Sequence, residues 1–159
     1  QPGDSVDQQK HFRHGQRACP SRMGRGSPLT PIAVPASDLD AWLPRIEWHL
    51  KSFCRSGQWT PEELVGQIRS RDRQLWVAFD GEVRAAVLTA VMADRLQTVQ
   101  ITHCAGRGAG DWLHLWPVLE GWARDIGAKR IEAVARPGWE RKLKDIGMLK
   151  THVILEKRL

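Results

Sequence analysis

A glycine-rich turn between an extended run and an amphipathic segment is the strongest constraint on how this chain folds. The extended run covers Leu96 to Cys104, and the turn follows as Ala105-Gly-Arg-Gly-Ala-Gly110. Apolar residues at helical spacing then run from Trp112 to Ile126, and Gly127 ends that pattern. Strand, glycine turn and helix in this order leave main-chain N–H groups free at the helix start, where a phosphate can bind. The stretch predicts either a phosphate site or the remnant of one.

Three consecutive strands are predicted up to this turn. β-branched and apolar residues fill Leu75–Phe79 and Val83–Met92, and the run from Leu96 continues the pattern. Asp80-Gly81, between the first two runs, is typical of a hairpin turn. The three segments therefore predict an antiparallel meander.

Two helices and an edge strand are predicted before the meander. Thr60-Pro61-Glu62-Glu63 has the residues of a capping box with proline in the first turn, which predicts a helix over 60–70. An earlier helix is expected to begin with Ser37 as its N-cap, because apolar residues recur at helical spacing after it: Leu39, Trp42, Leu43, Ile46, Leu50 and Phe53. Leu29–Val34 contains Pro31 and is followed by Pro35, which predicts an edge strand.

Three further elements are predicted after the amphipathic segment. Lys129–Ala135 is β-compatible, Trp139–Ile146 is helical and is followed by Gly147, and Thr151–Leu155 predicts a last strand. The predicted order of elements is β-α-α-β-β-β-α-β-α-β. The tryptophans of the amphipathic segment are expected to be core residues rather than a stacking surface for bases.

The start of the chain differs in composition from the rest. Residues 1–27 are basic and rich in Gly, Pro, Ser and Gln, with few large apolar groups, so they cannot bury enough surface to order themselves. We therefore expect an N-terminal arm over 1–27, which docks on partner proteins or on a second copy of the chain, and one domain over 28–159.

Charge and apolar content narrow the classes of function. The net charge of +6 can attract nucleic acid, phosphates or acidic protein surfaces. No apolar run approaches the roughly 18–20 residues that cross a bilayer, and no signal-peptide pattern opens the chain, so neither membrane contact nor secretion is expected. His11, His14 and Cys19 lie near one another, but a structural zinc site needs a fourth ligand, and no metal is expected.

The order of elements and the glycine turn resemble the GNAT fold of acetyl-CoA-dependent N-acetyltransferases over residues 28–159. The resemblance implies an α/β (α+β) domain with a central mixed, mostly antiparallel sheet flanked by about four helices. It also implies that Ala105, Arg107, Gly108 and Gly110 would bind the pyrophosphate of acetyl-CoA.

Two residues depart from the loop pattern of that family, which is Gln/Arg-x-x-Gly-x-Gly/Ala. The corresponding stretch here begins at Arg107 and ends at Trp112. Trp112 stands where a small residue is usual, and Asp111 places a negative charge beside the implied phosphate site. The resemblance is therefore to a changed loop.

The residue that would serve as the catalytic acid is also changed. GNAT enzymes commonly carry Tyr-x-x-x-Gly-Phe at the end of the fourth helix, and its tyrosine protonates the leaving thiolate. Leu143 holds that position here, and the chain contains no tyrosine. His103 is the candidate general base, because the usual pKa of histidine lies near neutral pH, and Cys104 is the candidate proton donor. Adjacent strand residues point to opposite faces, so these two are not expected to form a nucleophile–base pair.

The closing segments are similar to a narrower group. Arg136-Pro-Gly-Trp-Glu-Arg-Lys-Leu143 and Lys150–Leu159 resemble small GNAT-like proteins of tailed phages and prophages, which are related in fold to internal virion proteins. With the changed loop and the missing tyrosine, this resemblance predicts a non-catalytic structural component of a tailed-phage virion (head, neck or internal protein), without a cofactor. Its location would be the virion or the host cytoplasm, and its partners other phage structural proteins.

Two alternatives remain beside that prediction. The first is an acetyl-CoA-dependent N-acetyltransferase with an atypical active site, which the three glycines of the turn favour. The second is a basic nucleic-acid-associated protein, which rests on charge alone. A V-shaped gap between the fourth and fifth strands would favour the enzyme, whereas Trp112 filling that gap would exclude it.

Overall fold

A single five-stranded sheet forms the centre of the protein. The structure is a computed structural model that describes residues 28–136 and 138–157. The strands lie in sequence order and are β1 (Thr30–Val34), β2 (Gln74–Phe79), β3 (Val83–Val91), β4 (Val99–Gly106) and β5 (Ile131–Ala133). The first four pair antiparallel, and β5 pairs parallel to β4. The predicted mixed, mostly antiparallel sheet is confirmed.

Helices cover both faces of this sheet. They are α1 (Leu39–Phe53), α2 (Pro61–Arg69), α3 (Ala109–Trp112), α4 (Trp116–Asp125) and α5 (Trp139–Lys144). Short 3₁₀ turns occupy Ala36–Asp38, Cys54–Ser56 and Leu113–Leu115. The α1 and α2 helices pack on one face, and α3 and α4 pack on the other.

Local patterns explain several of these boundaries. At the start of α2, the Thr60 hydroxyl accepts from the Glu63 N–H at 3.2 Å, and the Glu63 carboxylate accepts from the Thr60 N–H at 2.8 Å. This is the predicted capping box, and such a cap contributes about 1 kcal/mol. The predicted hairpin is also confirmed, because β2 and β3 pair antiparallel around a turn in which Gly81 has a φ of 113°.

The two faces of the sheet have separate cores. Under α1 and α2, the fully buried side chains include Leu39, Ile46 and Leu64. On the opposite face, Trp76 and Leu119 belong to a second cluster. A third cluster lies at the same face near α3 and comprises Trp112, Ala78 and Ala85, with Leu29, Leu113, Leu115 and Trp139 packed against it. The expectation that the tryptophans are core residues is confirmed for Trp112, which is buried.

Two predicted helix boundaries are wrong. The segment Trp112–Ile126 is not one helix, because the chain passes through a 3₁₀ turn and α4 restarts at Trp116. Pro117 favours this restart, because in the first turn of α4 a residue without an N–H removes no helical hydrogen bond. Ser37 does not cap α1. It lies inside the preceding 3₁₀ turn, and its hydroxyl donates to the Asp38 carboxylate.

The predicted end of the sheet is also wrong. The strand expected over Lys129–Ala135 is shorter, and Thr151–Leu155 forms no strand in the described part of the chain. Val153, Ile154 and Leu155 are 67%, 68% and 92% exposed. Strand propensity reflects packing against a neighbouring strand, and this segment has no such neighbour.

Some expectations fall on residues that are not described. The arm predicted over residues 1–27 lies outside the described ranges, as do His11, His14 and Cys19. Within residues 28–136 and 138–157, no helix has the length and apolar character needed to span a bilayer.

Candidate active site

The fourth and fifth strands part from each other after only three paired positions. Val99 pairs with Ile131, and the last pair joins Ile101 to Ala133. Beyond this pair β4 continues to Gly106, while β5 ends. Within the described residues, the edge of β4 that faces β5 therefore has no strand partner after Ile101, and a wedge opens between the two strands.

A β-bulge at Thr102 lies where the wedge begins. Thr89 is opposite Ile101 and Leu88 is opposite His103, so Thr102 is the extra residue in β4. The Thr102 hydroxyl donates to the Leu88 carbonyl oxygen at 3.2 Å. The bulge changes which side chains face which helix. Ile101 packs in the α4-side core, yet His103, two residues on, packs against Phe53 of α1.

The wedge leads into a cavity that opens on both faces of the sheet. Its volume is about 460 Å³, within the range of small-molecule sites. Its walls combine the free ends of β4 and β5 with side chains from α1 on one face and from α4 on the other. Apolar side chains predominate, among them five tryptophans of the walls: Trp48, Trp76, Trp112, Trp116 and Trp139.

Trp112 lines this cavity and does not fill it. Its ring packs on Ala78 and Ala85 and lies 6.1 Å from the ring of Trp139, centroid to centroid. Its indole N–H is buried without a partner in the described part of the chain. Leu143 of α5 also lines the cavity, so the position of the family's acid faces the wedge but carries an apolar side chain.

Two of the three glycines of the turn are required by the fold, each for a different reason. A Cβ at Gly106 would lie 2.7 Å from the Cβ of Ala85, so this position allows β4 to approach β3. Gly108 has a φ of 63°, which disfavours any other residue. Gly110 has neither constraint, and a Cβ there would meet open space.

Asp111 folds back over the turn. Its main-chain N–H donates to the Gly108 carbonyl oxygen at 2.7 Å, and its carboxylate lies in the space that a Cβ on Gly108 would take. The sequence prediction of a negative charge beside the turn agrees with this position. An anion approaching Gly108 would meet that carboxylate first.

The predicted cofactor-binding residues are only partly brought together. Ala105 and Arg107 line the cavity, but Gly108 and Gly110 lie outside its walls. The Arg107 guanidinium lies over the ring of Trp48, 5.1 Å from its centroid, and so points toward α1.

His103 and Cys104 lie on opposite faces of β4, as predicted. Both line the cavity, but His103 contacts Phe53 on the α1 side, whereas Cys104 is opposite Val87 on the α4 side. The expectation of a near-neutral histidine is wrong. Burial, together with the positive charge of Arg73, lowers the pKa of His103 to about 4.

Cys104 is open to the cavity yet poorly solvated. The surrounding protein atoms leave the thiolate little water, and burial raises the pKa of this thiol to about 12. Cys104 therefore stays protonated at physiological pH and acts as a weak S–H donor.

Sequence reasoning missed the α1 side of the site. Trp48, Ser52 and Arg55 line the cavity from the end of α1 and the 3₁₀ turn that follows it; these three residues are called the α1 rim below. Their spacing of four and three residues places them on one helix face, which is the signal that could have identified them. Arg136, which follows β5, is a further cavity residue that was not predicted.

Known proteins are similar to this chain in structure but not detectably in sequence. No protein-family model matches the sequence, and no curated protein matches it either. Solved structures share the fold, and three of them illustrate the similarity. A ribosomal-protein-alanine N-acetyltransferase from Brucella melitensis biovar Abortus 2308 superposes with a TM-score of 0.61 at 17% identity, covering 82% of this chain and 99% of that one.

The other two are similar to the same extent. Glucosamine-6-phosphate N-acetyltransferase from Arabidopsis thaliana gives a TM-score of 0.60 at 17% identity, covering 82% of this chain and 97% of that one. A predicted acetyltransferase from Clostridium acetobutylicum, solved with acetyl-CoA, gives 0.58 at 16% identity, covering 82% of this chain and 96% of that one. The chain has the GNAT fold.

The expectation of a non-catalytic phage virion component is wrong. The named solved structures that share this fold are acetyltransferases rather than virion proteins, and Trp112 lines the gap between β4 and β5 without filling it. The predicted partners of the arm and the predicted nucleic-acid association stay predictions.

Proposed function

We propose that this chain is an acetyl-CoA-dependent N-acetyltransferase of the GNAT type. The observation that carries the proposal is the open wedge between β4 and β5, continuous with a cavity of about 460 Å³ that reaches both faces of the sheet. A donor can enter from one face and an amine from the other. The enzymes that share the fold support the same activity.

The residues around the wedge fit the pantetheine arm of acetyl-CoA. That arm carries two amides, and the edge of β4 after Ile101 offers main-chain groups that no strand satisfies. The walls are largely apolar, which suits its methylene groups. Gly110 leaves room beside the turn. The pyrophosphate end is less well matched, because the Asp111 carboxylate lies over Gly108.

The chemistry divides between the two faces of β4. Acetyl-CoA supplies a thioester carbonyl that a neutral amine attacks, with loss of the thiolate. His103 lies on the α1 side and is neutral at pH 7, so it can accept a hydrogen bond from the amine. With a pKa of about 4 it is too weak a base to deprotonate an ammonium group.

On the α4 side, Cys104 can stabilise the departing sulfur. Its thiol keeps its proton, so it donates a hydrogen bond and leaves full protonation of the thiolate to water. No strong acid or base is thus required of the chain. We expect the dependence of kcat/KM on pH to follow the pKa of the acceptor amine rather than that of an enzyme group.

The first test is a titration with acetyl-CoA followed by thermal unfolding. A ligand that binds only the folded state raises apparent stability, by about 2.7 kcal/mol at a hundredfold excess over Kd. The variant Ala135→Trp fills the wedge from an exposed position that lines the cavity, and we expect it to abolish the shift.

Ala93→Trp is the matched control for this variant. Ala93 is also exposed but lies outside the cavity walls, so its substitution should leave the acetyl-CoA shift unchanged. If millimolar acetyl-CoA does not stabilise the unmodified chain, the proposed function is refuted. A shift that survives in Ala135→Trp would place the cofactor elsewhere and remove the argument from the wedge.

A further inference from the structure

The α1 rim makes one side of the cavity positively charged. Arg55 is exposed and makes no ion pair or hydrogen bond with any described residue. Ser52 lies one turn earlier on the same helix face and adds a hydroxyl. The Arg107 guanidinium joins the rim through its contact with the Trp48 ring. Two cations and one hydroxyl therefore border the opening on the side where His103 lies.

The rest of the cavity adds positive charge and no negative charge. Arg136 lines the far wall, and none of the described residues that line the cavity is Asp or Glu. His103 is neutral for a separate reason, because burial and then the charge of Arg73, which lies outside the cavity walls, lower its pKa. A polycationic amine would enter such an opening against repulsion on every side.

An acceptor with an anionic group is attracted to the same opening. A guanidinium binds a carboxylate or a phosphate through two parallel hydrogen bonds. An anion held at the entrance would orient the rest of the acceptor toward the wedge. Holding the amine in this position raises the rate of its reaction with the thioester.

We propose that the acceptor is a primary amine that also carries a carboxylate or a phosphate, and that Arg55 binds this anionic group while the amine lies beside His103. The inference rests on the proposed acetyltransferase function and adds the class of acceptor. The amine nitrogen attacks the thioester carbon and the carbon–sulfur bond breaks. The proton lost by nitrogen is balanced by the one that the thiolate gains.

Matched pairs of acceptors test this proposal. D-glucosamine 6-phosphate is compared with D-glucosamine, and L-methionine with L-methioninamide, using release of the CoA thiol to measure kcat/KM per concentration of neutral amine, so that differences in amine pKa do not enter the comparison. We expect the anionic member to be preferred by about tenfold or more in one pair, since a charge-assisted contact of this kind corresponds to roughly that factor. The preferred pair distinguishes phosphate from carboxylate as the anion.

Variants of Arg55 connect the preference to the residue. Arg55→Glu should remove the preference for the anion, and Arg55→Lys should retain part of it, because lysine keeps the charge but not the planar fork. Arg95→Glu makes the same change in net charge at an exposed arginine outside the cavity walls and should leave the preference intact. The preference of the unmodified chain should weaken as salt is added.

Each remaining outcome decides the inference. Equal rates for both members of both pairs, or a preference that survives Arg55→Glu, would overturn it while leaving the acetyl-CoA shift and the proposed activity in place. If no probe reacts, calorimetry with glucosamine 6-phosphate and methionine in the presence of CoA decides. Binding that Arg55→Glu abolishes supports the inference, and no binding overturns it. Failure of acetyl-CoA itself to bind refutes both proposals.

Discussion

Replacing Gly106 with alanine tests whether this glycine serves the sheet or the ligand. The added Cβ would lie 2.7 Å from the Cβ of Ala85 and 3.1 Å from both the Ala85 Cα and the Arg84 carbonyl oxygen. Carbon atoms pack best at about 3.5–4.0 Å, and these neighbours are mostly backbone that no rotamer change can move. β3 and β4 would therefore have to separate by several tenths of an ångström.

The expected change in the free energy of unfolding combines a loss from strain with a smaller gain from replacing glycine. Overpacking of this kind costs about 1–3 kcal/mol, and replacing glycine within a strand returns about 0.5–1 kcal/mol. With mid-range values for both terms the net loss is about 1 kcal/mol, which corresponds to a Tm lower by roughly 2–4 °C for a domain of this size. Thermal unfolding monitored by circular dichroism measures this directly.

Gly110→Ala is the matched control, because its Cβ would meet open space and its φ is ordinary. In the short α3 helix alanine is favoured over glycine by up to about 1 kcal/mol, so Tm should stay the same or rise. If Gly110 leaves room for the cofactor, acetyl-CoA binding should weaken in this variant while its stability does not. A Gly106→Ala chain as stable as the unmodified one would refute the argument from strand approach.

Three further predictions concern charge in the site. Because the pKa of His103 is about 4 when folded and about 6.5 when unfolded, its contribution to stability should be full above pH 6.5 and fall by about 1–3 kcal/mol toward pH 4. Urea unfolding of His103→Gln should show a flatter profile, and part of the remaining slope comes from His49, whose pKa burial also lowers. The thiol of Cys104 should react with iodoacetamide at pH 8 roughly 50-fold more slowly than a peptide thiol, and labelling at the peptide rate, read by mass spectrometry, would contradict its raised pKa. Asp111→Asn should tighten acetyl-CoA binding roughly threefold at low salt, and calorimetry that finds equal or weaker binding would argue against a phosphate at the turn.

Local patterns predicted most of the fold because their causes lie within a few residues. The capping box at Thr60 and the hairpin at Gly81 depend only on neighbouring side chains and backbone angles. Thr151–Leu155 shows the limit of this approach. Its residues favour a strand, but a strand also needs an edge to pair with, and that edge is a property of the whole sheet.

The site was predictable only in part. His103 and Cys104 were identified from their position before the turn, and both line the cavity. Their pKa values depend on packing from other elements, so the sequence did not indicate them. The bulge at Thr102 leaves no mark in the residue pattern, because strand alternation continues on either side of it.

The missing tyrosine led to the wrong prediction of function. Leu143 stands where the tyrosine would act, and this position predicts a protein without catalysis. The wedge, however, depends on where β5 stops pairing rather than on any one side chain. In the same way, Arg55 can be recognised as a residue of the site only once the cavity is known to open beside the end of α1. A search for catalytic residue types does not detect either feature.

The bulge at Thr102 also affects how such a protein can diverge. It places His103 against Phe53 on one face of β4 and Cys104 opposite Val87 on the other face. Substitutions without shared partners have nearly additive effects on free energy. Under the proposed function, selection can therefore change the acceptor amine through the α1 rim while the opposite face of β4 stays constant, and an engineer can alter each face separately.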